Sequence, residues 1–175
     1  VQGGIAVFQI GGGGILVDRC TNLWLENLTV TNNMATRLEA NAGAVHGGGI
    51  TFSNSTAVLT NSLIRDNRVI TMFGSTVSHG HGGGVALLTG SVQVVDCVID
   101  GNWMRTAQRA WGAGLYARQG THEIRHTLIT RNNSLSSGGL ASYVRGDALS
   151  VDAAGTVVEM LNCVLAGNKE EAVYT

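Results

Sequence analysis

Proline is absent from the chain, charged residues make up 13% of it and aromatic residues 5%. Each shortage excludes something. With a formal net charge of -1 there is no basic surface for tracking phosphates and no pull toward anionic lipid, so nucleic acid is not expected as a partner. No apolar run reaches the length of about 18 residues that a membrane-spanning helix needs. The opening residues, Val1-Gln2-Gly3-Gly4, carry neither the basic nor the apolar segment of an export signal, which would lie outside this sequence. Three cysteines, Cys20, Cys97 and Cys163, are too few for a disulfide framework, and an odd number points to buried free thiols. Few large rings and many Val, Ile, Leu and Ala imply a slender core of small and branched side chains.

What the chain does have is glycine, 25 residues of it among 175. Without proline this does not read as a flexible or low-complexity segment, and the glycines prove to be periodic. Runs of glycine stand before an aliphatic residue at Gly12-Gly13-Gly14-Ile15, Gly47-Gly48-Gly49-Ile50, Gly82-Gly83-Gly84-Val85, Gly112-Ala113-Gly114-Leu115 and, more weakly, Gly138-Gly139-Leu140. A second motif follows each: Val30-Thr31-Asn32-Asn33, Ile64-Arg65-Asp66-Asn67, Ile99-Asp100-Gly101-Asn102, Ile129-Thr130-Arg131-Asn132 and Leu165-Ala166-Gly167-Asn168. From aliphatic anchor to asparagine the interval is 18, 17, 17 and 17 residues in the first four copies. In the fifth it is 28, which predicts an insertion around Arg145 to Gly155.

Columns emerge when the copies are aligned on Asn33, Asn67, Asn102, Asn132 and Asn168. Eight residues earlier stand Leu25, Leu59, Val94, Ile124 and Met160, and three earlier stand Val30, Ile64, Ile99, Ile129 and Leu165, both predicted to point inward. Five earlier is a column of mostly small residues, Leu28, Ser62, Cys97, Thr127 and Cys163, suited to the inside of a bend. Six earlier stand Asn27, Asn61, Asp96, His126 and Asn162. Short alternations broken by turn formers are strands, not helices. A single strand-bend-strand unit cannot bury its own apolar face, so copies must stack at the strand spacing of roughly 4.8 Å, with the asparagines forming a ladder. The chain is therefore expected to be all-β, a single parallel β-helix (β-solenoid) of about five coils over residues 1–175.

The pairing of GGGI or GGGV with IxxN in each coil resembles the repeat of the polymorphic outer-membrane proteins and related bacterial surface β-helix proteins, which pair GGAI with FxxN. The likeness covers residues 11 to 168, with Ile, Val or Leu in place of Phe. It implies an adhesive or structural role and an extracellular or cell-surface location in a bacterium. It also implies a right-handed coil, in keeping with the general handedness of parallel crossovers.

The stretches between each asparagine and the next glycine run, residues 34–46, 68–81, 103–111 and 133–137, vary in length and are predicted as loops gathered on one flank. They carry Met72, Phe73, Trp103, Met104, Arg105, Arg109 and Trp111, and Phe73, Trp103, Arg105, Arg109 and Trp111 are the binding candidates, because aromatic and arginine side chains anchor interfaces. The same side chains would equally serve to cover the open side of the coil. His46 and His81 share a repeat position, with His79 two residues upstream of His81. These imidazoles could hold a transition metal or could simply form a stacked polar ladder. No cofactor is called for.

Catalytic β-helices need convergent acid and base groups. Here only Asp66, Asp100, Arg65 and His81 could be enlisted, Arg65 and Asp100 read as a surface pair on adjacent rungs, and no catalytic residue is assigned. The leading expectation is thus a non-catalytic structural or adhesive module, or a scaffold subunit. The competing one is a carbohydrate-active β-helix that binds or cleaves glycans. Further coils or other subunits are expected at the open ends, where terminal repeats otherwise need polar caps.

Overall fold

The computed structural model describes residues 1–6, 12–37, 43–71, 79–136, 143–169 and 173–174. Among these the strands pair parallel, rung upon rung, in four sheets. The coil that starts at Ile50 shows the plan. It runs through Ile50–Ser53 and Ser55–Thr60 in the first sheet, Leu63–Arg65 in the second, Arg68–Thr71 in the third and His79–His81 in the fourth, then returns to Val85 beside Ile50. The anchors Ile15, Ile50, Val85, Leu115 and Leu149 lie on successive rungs, which closes about four turns rather than five.

Both predicted inward columns are ladders. Leu25, Leu59, Val94, Ile124 and Met160 are in register, as are Val30, Ile64, Ile99, Ile129 and Leu165. Leu59, Val94 and Ile124 face Ile64, Ile99 and Ile129 inside one core, all fully buried. Burying each such side chain contributes roughly 1.5–3 kcal/mol relative to leaving it in water.

The bend between the first and second sheets explains two further columns. Asn27, Asn61, Asp96, His126 and Asn162 all have φ between 47° and 56°, the left-handed region in which Asn and Asp are the best tolerated side chains. The residue that follows folds its small side chain back into the bend. Ser62 Oγ donates to the Thr60 carbonyl at 2.7 Å and accepts from the Leu28 amide at 3.1 Å, and Thr127 Oγ1 donates to the Arg125 carbonyl at 2.8 Å.

The asparagine ladder and the glycine runs turn out to be two halves of one device. Asn67 Nδ2 donates to Asn102 Oδ1 at 3.1 Å and to the Val30 carbonyl at 2.9 Å, while its backbone N–H also donates to Asn102 Oδ1 at 3.0 Å. The pattern repeats from Asn33 to Asn168. Gly49 lies directly across from this ladder: a Cβ there would stand 2.9 Å from Asn67 Nδ2 and 2.7 Å from the Gly84 carbonyl oxygen. At Gly48 it would run into the Arg68 carbonyl. The coil is therefore pinched to a waist where backbone meets backbone, a closeness that glycine serves best, with Ala113, Asp147 and Ala148 as the departures. This fixes the interval between the two motifs.

Two lobes result. The main one holds the ladders just described, and the second encloses a smaller core of Ala35, Val45, Val69, Met104, Ala110 and Ala113 between the third and fourth sheets. The stretches predicted as loops carry strands of this second lobe, Met34–Arg37 and Ala44–His46, Arg68–Thr71 and His79–His81, Trp103–Thr106 and Arg109–Trp111, and Asn133–Ser136, and Tyr143–Arg145 completes the set from beyond the predicted loop 133–137. Length varies only at the tips, with two residues between Thr106 and Arg109 but seven between Thr71 and His79. That variation hid the alternation on either side.

The last coil also departs from expectation. Its anchor is Leu149, not Leu140, which lies outside the described residues, and Gly146-Asp147-Ala148 replaces the glycine run. Gly146 keeps the φ of 55° found at Gly47. The insertion shrinks to two residues, taken up as a bulge where Arg118 pairs with Asp152 but Gly120 with Thr156, and Ala153 and Gly155 adopt φ of 82° and 83°.

Candidate functional site

Next to the waist the outer faces of the fourth sheet and of the first meet at a concave corner. His46, His81, Trp111 and Arg145 are consecutive rungs on one side of it. Thr51, Ala86, Tyr116 and Ser150 are consecutive rungs on the other. The two columns close on each other as a stack of rings. His81 lies nearly parallel to Tyr116, centroids 4.4 Å apart at 14°, and to Trp111, 5.1 Å apart at 16°. His46 lies 4.8 Å from His81, at the rung spacing, and their Nδ1 atoms approach to 3.2 Å, so that one donates and the other accepts. Arg145 and Arg109 bring their guanidinium carbons to 5.5 and 5.6 Å from the Trp111 ring centre. The Tyr116 hydroxyl donates to Asp152 Oδ2 at 2.9 Å.

Burial and positive charge act together on these imidazoles. His46 is pushed down to about 4, first by burial and then by Arg118. His81 lies well below its ordinary value, again chiefly through burial, with His46, His79, Arg118 and Arg109 adding to it. His79 is lowered by burial and by Arg109. The stack is thus made of neutral rings at physiological pH. Arg109 from the fourth sheet and Arg118 from the first both bear on His81 through their positive charge. Among the described residues no three His, Cys, Asp or Glu side chains converge as a metal would require, and the His79 ring stands 6.2 Å from that of His81.

The sequence-derived binding candidates do not all share this corner. Arg109 and Trp111 belong to it, Trp111 at 8% exposure, but Trp103 and Arg105 project from the third sheet, on the opposite outer face of the second lobe, with Met104 pointing into the core between them. Phe73 lies outside the described residues. Trp103 borders a shallow depression with Asn32, Asp66, Arg68 and Gly101. Nearby, Asp100 is no surface residue: it is 4% exposed and gripped by Arg131, whose Nε donates to Oδ1 at 2.7 Å, by the Thr130 hydroxyl at 3.0 Å and by Arg65 at 3.3 Å. The Arg131 hydrogen bond foremost holds the Asp100 carboxyl below its ordinary value.

Three residues escaped the sequence reading. Tyr116 follows the anchor Leu115, and that register alone places it outward at the corner. Trp24 is 62% exposed on the first sheet, beside a depression of about 280 Å³ lined by Asn22, Thr56, Ser91 and Gln93. Its place in the alternation of Leu23–Glu26 makes it outward. His122 lies two residues before the inward Ile124 and is fully buried. All three cysteines are free, as expected, but only Cys97 is buried, its thiol pushed up to about 11 chiefly by burial, whereas Cys20 and Cys163 are half-buried.

No curated protein and no solved structure matches the chain. The family model for the right-handed β-helix region matches residues 5–175. The chain belongs to the right-handed β-helix family, and its coil is right-handed.

Proposed function

We propose that the chain is a non-catalytic structural or adhesive module of a bacterial cell-surface or secreted protein, of the kind whose repeats pair GGAI with FxxN. The observation that carries this reading is that Asp100 and His81, two of the side chains that could be enlisted for acid–base chemistry, are engaged in holding rungs together. Asp100 is bound by Arg131, Thr130 and Arg65, and His81 is sealed among His46, Trp111 and Tyr116 on a different face. A general base must reach the proton it removes, and a carboxylate held ionised by two guanidinium groups is a poor acid and a poor base. Incubation with a panel of acidic polysaccharides should give no turnover. Cleavage that disappears in Asp100→Ala while the fold persists would overturn the proposal.

A second reading, glycan binding, is favoured by Trp24 alone. An exposed indole beside Asn22, Thr56, Ser91 and Gln93 offers a stacking face with polar neighbours, although the depression is at the small end of ligand sites, which run to about 300–1,000 Å³. A glycan array that finds a binder whose signal is lost in Trp24→Ala supports it. An array without any binder removes it.

A further inference from the structure

The inward column that begins at Leu23 continues through Ala57, Val92, His122 and Val158. Four of these side chains are apolar, and the fifth is an imidazole at 0% exposure. Neither ring nitrogen of His122 meets a donor or acceptor among the described residues. Buried polar groups are almost always hydrogen-bonded, so an orphaned imidazole in a core is an exception that asks for a cause.

The surroundings decide which form the ring adopts. On its own strand Glu123 and Arg125 point outward and bond to each other, and Arg118 is also outward. Gly90–Val95 on one side carries no titratable group, and on the other Glu159 pairs with the outward Glu123 while Asp152 accepts the Tyr116 hydroxyl. Asp100 on the facing sheet is turned out to Arg131 and Arg65. The titratable groups that share the core are the thiols of Cys20, Cys97 and Cys163. Among the described residues nothing offers a protonated imidazole an anion, and burial alone lowers its pKa, to about 4.

The strand that holds His122 is paired unequally. Toward Gly90–Val95 one register holds throughout, but ladder partners are set only at Gly120 and from Glu123 to Arg125, with none at Thr121 and His122. Toward Leu149–Leu161 the register breaks between Arg118 and Gly120, with the two-residue bulge at Ala153 and Gly155 just before the His122–Val158 rung. A charged ring must reach water, and the Leu149–Leu161 flank, where Val157 is exposed and Val158 only half-buried while Val92 on the other flank is fully buried, is the one that opens at least cost.

We propose that His122 is an acid-responsive switch of this fold, whose protonated ring leaves the core and parts the Leu115–Arg125 strand from the Leu149–Leu161 strand next to the bulge. Because the folded-state value is depressed, the unfolded chain binds a proton that the folded one refuses between pH 6.5 and about 4. Stability from this group is full above pH 6.5 and is lost as pH falls through that window, the opening equilibrium rising by up to about tenfold per pH unit.

The test compares the natural protein with His122→Val, which matches its rung neighbours Val92 and Val158. Equilibrium unfolding and amide exchange of residues 156–160 are followed from pH 7.5 to 4.5. His46 and His81 remain in both proteins and cancel from the ratio. The ratio of unfolding constants, natural over variant, should rise about 100-fold across the window, with exchange of 156–160 accelerating only in the natural protein. Parallel pH profiles would overturn the proposal. Should His122→Val fail to fold, the ring resonances of His122 in the natural protein decide: no titration above pH 5 while folded sustains the switch, and titration near 6.5 in the intact fold refutes it.

Discussion

The two lobes of the coil are built by the same stacking rule and yet differ in what they tolerate. In the main lobe, large branched side chains form unbroken ladders and the chain length between anchor and asparagine scarcely varies. In the second lobe the buried residues are mostly Ala and Val with Met104, and the tips range from two to seven residues. The difference teaches that the waist, where glycine backbone lies against the asparagine ladder, insulates one lobe from the other. Length changes beyond it do not disturb the register inside it.

The sharpest way to break that division is to remove the waist itself. Asn102→Ala takes away the acceptor of the Asn67 backbone and side-chain amides and the donor to the Ile64 carbonyl and to Asn132. With each buried group left unpaired costing about 1–3 kcal/mol, the loss should reach about 4 kcal/mol or more, read from denaturant midpoints, and should loosen both lobes at once. Next comes a paired truncation. Ile99→Ala in the main lobe should cost about 2–5 kcal/mol. Val69→Ala in the second lobe removes about two methylene equivalents, some 1.6 kcal/mol. If Val69→Ala proves the costlier of the two, the ranking of the lobes is wrong. The smallest effect is expected at the bend: His126→Gly relieves a side chain held at φ 49° and should stabilise by about 1 kcal/mol or less, visible as a modest rise in melting temperature.

Much of the main lobe was legible in the sequence because its signals are local and repeated. The fixed spacing from Ile50 to Asn67 and from Val85 to Asn102 placed the rungs, and the alternation around Leu59 and Ile64 gave the inward columns. The fifth coil was misread because Gly146-Asp147-Ala148 replaces the glycine run, and what identifies it is the left-handed backbone of Gly146, which composition does not reveal. The second lobe was read as loop because its strands are three or four residues long and their inward positions, Ala35, Val45 and Ala110, are small. The candidate site suffered in turn. Trp103 and Trp111 are close in sequence, but the turn at Ala107 and Gln108 sends them to opposite faces, and Tyr116 joins Trp111 only because the waist folds the first sheet back against the fourth.

The waist also makes the tips of the second lobe natural points of graft. A foreign segment placed beside Gln108 would project between neighbouring rungs that already carry excursions of six or seven residues. Closing a longer excursion costs little, roughly 0.6 kcal/mol for each doubling of its length. With each coil pinned at its neck, variation could accumulate at the outer rim, rung by rung, while the spine beneath stays the same.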